Sequence, residues 1–199
     1  MAHGLSQAPD LVIVKVRDAV RNWLIGSDSL TGTSWEKYLY FTSAVEGDDS
    51  SMWNDTAPTS SVFTLGNNTD INGSGDTYVA YCFHSVEGYS KIGTYVNIAG
   101  SATSDDLNFI YTGFKPAWFM NKMISGPDGA GSYFLYDGTR NPYNLTGTYL
   151  VPDHNYADEV ASQGWDFVSN GLKLRASFSA NTHIYMAFAE APMKFANAR

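Results

Sequence analysis

Paired carboxylates are the first candidates for chemistry in this sequence. Acidic neighbours occur at Asp48 with Asp49, Asp105 with Asp106, and Asp158 with Glu159. Glycoside hydrolysis needs two carboxyl groups that face each other across a cleft. Successive side chains on a strand point to opposite faces, so sequence neighbours do not form such a pair. We interpret these acids as solvated loop residues and predict no catalytic residues.

Metal ligands are the second possibility. A segment rich in Asn and Asp approaches a calcium loop but lacks the closing Glu that such loops use; it contains Asn67, Asn68, Asp70, Asn72 and Asp76. Calcium binding at this segment is left open. The histidines lack the spacing of a zinc site and are His3, His84, His154 and His183. We predict no metal site and no cofactor, and we interpret the loop around His154 as a connection, with a ligand-facing loop as the alternative.

Cys82 is the one cysteine of the chain, so no intrachain disulfide can form. It lies in an apolar stretch. Free cysteines are usually small buried core residues. We therefore expect Cys82 to lie in the core rather than to act as a catalytic thiol.

Aromatic side chains fall into two groups. Some lie in apolar stretches and are expected in the core: Trp118, Phe119, Tyr185 and Phe188. Others lie in polar segments: Trp35, Trp53, Tyr143, Tyr149 and Tyr156. An aromatic ring in a polar loop can stack on the apolar face of a sugar, or it can anchor a subunit interface or the loop itself. The sequence does not separate these roles, so the ligand-binding residues stay unknown.

The composition excludes several partners. The formal net charge is −8, with 12 Lys and Arg residues scattered along the chain. Phosphate backbones and anionic membrane surfaces attract clustered basic residues, so we expect neither nucleic-acid binding nor membrane attachment. No apolar run is long enough for a transmembrane helix, and none is predicted.

Short apolar runs separated by turn residues predict an all-β fold, either a β-sandwich or jelly-roll-like. The predicted strands include Leu11 to Val16, Ser61 to Leu65, Thr77 to Phe83 and Ile184 to Phe188. The long polar loop 46–60 is predicted to hold one anchor, Met52 with Trp53. The residues from Tyr156 to Ser162 are predicted to form a short helix because they suit a helical turn.

The second half of the chain repeats the first at an offset of about 105 residues. Pro9 and Pro116 each precede an apolar run that closes on a lysine, and Thr77 to Phe83 parallels Thr182 to Phe188. Val62 to Gly66 parallels Phe167 to Leu172. We predict two tandem homologous halves in one compact unit, 1–99 and 107–199, with a polar linker at 100–106.

Several stretches together resemble an uncharacterised β-rich domain of virion and tail-fibre proteins from tailed phages, many of marine or cyanobacterial hosts. The resemblance covers essentially the whole chain and rests on His3-Gly4-Leu5, Thr77 to Phe83, Glu87 to Gly93, Tyr111 to Trp118, Ser169 to Arg175 and Ile184 to Glu190. It implies a virion structural module and no catalytic residues. Members of this family usually have further sequence before the His-Gly-Leu, so we expect a trimmed module or a strand supplied by a neighbouring subunit.

These observations favour a non-enzymatic phage virion component, a tail fibre or receptor-binding module that recognises a host-surface glycan. Capsid decoration, a glycan-cleaving depolymerase and a cellular sugar-binding lectin are the alternatives. We expect a homo-oligomer, a trimer or larger, in contact with other virion proteins, because repeated virion parts assemble with closed symmetry.

Overall fold

The computed structural model describes residues 1–32, 35–42, 46–97, 108–128, 131–175 and 179–190. It is nearly all β, with 45% strand, 5% helix and three antiparallel sheets, which confirms the predicted all-β sandwich-like fold. The chain divides into two compact units, Met1–His84 and Ser85–Arg199. In the described part of the chain, no helix has the length and apolar character needed to cross a membrane.

The first unit contains one antiparallel sheet of five strands in the order β4-β3-β2-β1-β5. Its elements are β1 (Leu11–Val16), β2 (Leu24–Ser27), β3 (Lys37–Tyr40), β4 (Gly47–Asp48), α1 (Ser50–Trp53), α2 (Thr69–Asn72) and β5 (Tyr78–Phe83). Both helices are single turns that begin at a polar cap. Asp49 accepts a hydrogen bond from the Ser51 amide, and Asn68 accepts one from the Asp70 amide, which satisfies backbone donors that a helix start leaves unpaired.

The core of the first unit lies on one face of this sheet. Alternation along β1 places Val12 and Val14 on that face, and the single-turn helices contribute Trp53 and Ile71. Gly26 in β2 lies beneath the indole rings of Trp53 and Trp35. A Cβ at this position would overlap both rings. The missing side chain therefore makes the space that the two rings occupy.

The second unit contains two antiparallel sheets, in the orders β6-β13-β8-β9 and β10-β11-β12-β7. Their strands are β6 (Ser90–Val96), β7 (Phe109–Tyr111), β8 (Pro116–Ser125), β9 (Tyr133–Asp137), β10 (Thr146–Tyr149), β11 (Glu159–Val168), β12 (Gly171–Leu174) and β13 (Thr182–Ala189). The short strands β7 and β10 had no counterpart among the predicted strands.

An aromatic core joins the two sheets of the second unit into a sandwich. Phe119 of β8 and Trp165 of β11 meet with ring centroids 4.9 Å apart, and Tyr95 of β6 meets Trp165 edge-on at 5.7 Å. The predicted core residues Phe119 and Tyr185 are buried here. Trp118 and Phe188 are only half-buried, because the pleat turns them to the opposite face.

A three-strand motif recurs in both units with the same register. In the order β2-β1-β5, Leu11 lies opposite both Ser27 and Phe83. In the order β9-β8-β13, Trp118 lies opposite both Asp137 and Phe188. The strands that follow Pro9 and Pro116 therefore hold equivalent positions between equivalent neighbours.

The compact units divide earlier than the predicted halves. β6 belongs to the predicted first half, but it pairs with β13 along its whole length. The division consequently falls between His84 and Ser85. The predicted linker at 100–106 lies outside the described residues.

Two predicted elements are wrong. The segment from Tyr156 to Ser162 is not helical, because Glu159 begins β11 and pairs with Tyr149 of β10. The segment from Ser61 to Leu65 forms no strand, and Val62 makes a single antiparallel bridge with Ala2. The predicted anchor of the long polar loop is confirmed, since Met52 and Trp53 are both buried in α1.

Replacing Gly26 by alanine should destabilise the protein. The added methyl group would overlap the rings of Trp53 and Trp35, and overpacking a core typically costs about 1–3 kcal/mol. Urea unfolding of Gly26→Ala should show a loss near the upper end of that range. Gly138→Ala is the matched control, since the nearest atom to its new methyl group is 3.7 Å away. Equal stability of the two variants would contradict this account of the core.

Candidate functional site

The second unit carries an open groove with a volume of about 660 Å³. Its walls come from the segments that adjoin the ends of β8, β9, β11 and β13. Most lining residues are small or polar, and they are Gly88, Gly113, Phe114, Lys115, Pro116, Ala117, Gly138, Thr139, Asn141, Pro142, Asn144, Thr146, Phe167, Ser169, Ala189 and Glu190. We call this feature the polar groove.

The loop between β9 and β10 forms one wall, and its own side chains hold it in place. Asp137 accepts hydrogen bonds from the amides of Thr139 at 3.0 Å and Arg140 at 2.8 Å. The Asn141 side-chain oxygen Oδ1 accepts one from the Thr148 amide at 2.9 Å. Short-range bonds of this kind fix turns rich in Asp and Asn, so the wall is preorganised.

Asn144 continues this wall, and its side-chain amide pairs with the backbone of Phe167 as a neighbouring strand would. Its side-chain oxygen accepts from the Phe167 amide at 3.0 Å, and its side-chain nitrogen donates to the Phe167 carbonyl at 3.3 Å. Both backbone groups of Phe167 are thereby satisfied. Phe167 and Phe114 are buried, so the groove has apolar side chains beneath a polar rim.

The accessible charges of the groove are balanced. Lys115 and Glu190 are the charged residues among those described that line it, and both are exposed. They lie side by side at the end of the β8–β13 strand pair, each one residue beyond the paired residues Pro116 and Ala189. Arg140 adds no free charge beside the loop, because its guanidinium binds the carboxylates of both Asp137 and Asp158.

Tyr143 lies in the chain between two residues that line the polar groove. Its neighbours Pro142 and Asn144 both line the groove, while Tyr143 itself is 84% exposed. A large exposed aromatic side chain offers a flat apolar face to a ligand. Of the five aromatics predicted in polar segments, Tyr143 is the one whose two chain neighbours line the groove.

The other four aromatics have other surroundings. Trp53 and Trp35 are 1% and 5% exposed and pack edge to face in the first core, so they are loop anchors and not stacking platforms. Tyr149 donates a 2.8 Å hydrogen bond to Glu159. Tyr156 is exposed and stacks on His154.

The predicted carboxylate pairs separate as expected from strand geometry. Asp48 binds Lys37 at 2.7 Å, whereas Asp49 caps α1, and the hydrogen bonds from Ser51 lower the pKa of Asp49. Asp158 binds Arg140 and Glu159 accepts from Tyr149. Asp105 and Asp106 lie outside the described residues.

The Asn- and Asp-rich segment uses its side chains locally. Asn68 caps α2, and Asn72 donates to the Gly66 carbonyl at 2.9 Å. Asp76 binds Arg21 at 3.3 Å. Across the described residues, no three His, Cys, Asp or Glu side chains are grouped so that they could hold a metal ion.

The four histidines are dispersed, and none lines the polar groove. The His3 ring lies 3.1 Å from the Thr59 carbonyl, and His84 is half-buried after β5. His154 lies within 3.4 Å of both Ser132 and Asp153. His183 stacks on Tyr95 with centroids 4.8 Å apart, and burial lowers the pKa of His183 to about 4. Cys82 is half-buried against the first core, and burial raises its pKa.

Sequence reasoning missed most of the groove. Four lining residues come from turns that are distant in sequence, so no local pattern marks them as parts of one site. They are Lys115, Asn141, Asn144 and Glu190. The run Gly138-Thr139-Arg140-Asn141-Pro142 is a clear loop signal. It indicates a connection between strands but not which other loops lie beside it.

The chain matches one family model over residues 1–192, described as Domain of unknown function (DUF7483). The chain therefore belongs to this family. Neither the curated proteins nor the solved structures contain a significant match to it.

Protonation of His183 should weaken the fold in acid. Its pKa is about 4 in the folded protein, against about 6.5 for an ordinary histidine. A lowered folded-state pKa gives stability that is complete above pH 6.5 and is lost as the pH falls through 4. At pH 4 the loss should reach about 3 kcal/mol. Unfolding of wild type and His183→Gln between pH 7 and 4 should show a loss of stability that is larger in the wild type by this amount.

His154→Gln is the control for that comparison, because His154 lies in an exposed loop. It should keep the acid sensitivity of the wild type. The same pH dependence in His183→Gln would show that other groups cause the acid effect.

Proposed function

We propose that this member of the DUF7483 family is a non-enzymatic binding module of a phage virion, a tail-fibre or receptor-binding component that attaches to a host-surface glycan. The observation that carries the glycan-binding part is the polar groove. It offers amide, hydroxyl and backbone groups above apolar floor residues, and the exposed Tyr143 lies between two of its lining residues in the chain. Sugars present hydroxyl groups and an apolar ring face, and this combination of surfaces is complementary to both.

The virion context rests on the sequence resemblance to tailed-phage virion and tail-fibre proteins. A rigid β-scaffold with a preorganised groove at loop ends agrees with it, since binding residues are commonly carried by loops on such a scaffold. In this proposal the protein is located in the virion and contacts other virion proteins.

Binding without cleavage is supported by the carboxylates near the groove. Glycoside hydrolysis uses two carboxyl groups, one on each side of the scissile bond. Among the described lining residues, the polar groove has one, that of Glu190. The nearby Asp137 and Asp158 are bound to Arg140. A depolymerase is therefore the less supported alternative.

Tyr143→Ala should weaken glycan binding. Wild type and variant would be applied to an array of bacterial surface polysaccharides and their oligosaccharides. Tyr156→Ala is the matched control, because Tyr156 is also exposed but neither of its chain neighbours lines the groove. Loss of an exposed aromatic contact at a binding site typically reduces affinity about tenfold. We expect this loss for Tyr143→Ala and wild-type binding for Tyr156→Ala.

Three results would contradict the proposal. These are no binding by the wild type to any glycan, equal binding by Tyr143→Ala, and release of reducing ends from a bound polysaccharide by the purified protein. The last of these would instead support the depolymerase.

The protein should self-associate, as a trimer or a larger ring. Only 16% of its residues are charged and 15% are aromatic, a composition that suits apolar subunit interfaces. Light scattering at micromolar concentrations should give a mass that is a multiple of 21.8 kDa. A monomer mass that persists as the concentration rises would contradict the oligomer and remove one support of the virion role.

A further inference from the structure

Strand β7 presents two large aromatic side chains on its outer face. Phe109 and Tyr111 are 49% and 66% exposed, whereas Ile110 between them is buried in the sandwich core. Alternation along the strand puts Phe109 and Tyr111 on the same face, about 7 Å apart along the chain. Contiguous exposed apolar surface of this kind commonly marks a binding site.

This aromatic face continues the polar groove. Gly113 lines the groove, and the Tyr111 hydroxyl oxygen lies 3.7 Å from the point that a Cβ of Gly113 would occupy. Gly113 has a φ of +83°, a conformation that favours glycine. The backbone therefore turns out of the groove at a residue without a side chain, and the ring of Tyr111 stands next to it.

A second glycine extends the same surface to Phe109. Gly171 of β12 lies opposite Tyr111, and the tip of the Phe109 ring is 3.0 Å from the position that a Cβ of Gly171 would take. The Phe109 ring thus lies over Gly171, the residue that pairs with Tyr111. The two rings and the two glycines are neighbours along this edge of the sheet, and we call them the aromatic strip.

The charges beside the strip do not select a charged ligand. Lys173 lies opposite Phe109 on β12, and Asp166 lies opposite Lys173 on β11. The carboxylate of Asp166 is bound by the guanidinium of Arg175. Two cationic and one anionic side chain are therefore grouped here, in a protein of formal net charge −8. Together with Lys115 and Glu190, they leave the surface close to neutral.

We infer that the polar groove and the aromatic strip form one continuous site that binds a linear, weakly charged polysaccharide along its chain rather than at a terminal sugar. This inference rests on the proposed glycan-binding function. The groove supplies hydrogen bonds to some sugar units, and the rings of Tyr111 and Phe109 stack on the units that follow. Affinity consequently rises with the length of the oligosaccharide until the strip is occupied.

The test uses a bacterial polysaccharide that binds the wild-type protein on the array, cut by partial acid hydrolysis into a length series from disaccharide to octasaccharide. Calorimetry measures the affinity of each length for the wild type, Phe109→Ala, Tyr143→Ala and the control Tyr156→Ala. We expect Phe109→Ala to bind the shortest ligands like the wild type and the longest about tenfold more weakly. Tyr143→Ala should bind all lengths more weakly.

The outcomes separate this inference from the proposed function. Binding that does not strengthen with length, or that Phe109→Ala leaves unchanged at every length, overturns the inference and keeps the groove as a short glycan site. Failure of every polysaccharide to bind overturns both.

β7 is an edge strand of its sheet, so a second copy of this chain is the rival occupant of the strip. If Phe109→Ala lowers the mass in solution while glycan affinity is unchanged, the strip is a subunit interface and the inference is wrong.

Discussion

The contact between Phe119 and Trp165 is the constraint on which the second unit depends. These rings come from different sheets, meet with centroids 4.9 Å apart, and are almost fully buried. Their size sets the separation of the two sheets. Phe167 lies two residues beyond Trp165 on the same face of β11 and forms part of the groove floor. The position of the floor therefore follows from the packing of the core, and the loops above it need only supply polar groups.

Strand alternation made much of the fold predictable, and its exceptions have identifiable causes. Leu11–Val16 forms a strand as predicted, because a β-branched run between turn residues has few alternatives. The segment that begins at Glu159 has residues that suit a helix, yet it pairs with β10 and β12 in a sheet. Local propensity is worth only tenths of a kcal/mol per residue, so sheet pairing and the burial of Trp165 determine the structure there.

The candidate site was less predictable because its residues are brought together by long-range topology. Lys115 and Glu190 become neighbours only when β8 pairs with β13. Trp35 and Trp53 lie in polar segments of the sequence, where anchoring and ligand stacking are both open, but Gly26 leaves the space that buries them. A glycine that makes room for rings from a distant segment leaves no pattern in the sequence around those rings. Tyr143 is exposed, and the loop that carries it is held by hydrogen bonds of polar side chains.

The repeated three-strand motif is covered differently in the two units. The motif β2-β1-β5 is covered in the first unit by α1, α2 and their tryptophan. The equivalent motif β9-β8-β13 is covered in the second unit by a complete sheet, whose strand ends carry loops. A covering sheet has several turns between its strands at one end, whereas a single-turn helix contributes few such turns. The same scaffold therefore carries a helical cover in one unit and, in the other, a sheet whose loops form the polar groove.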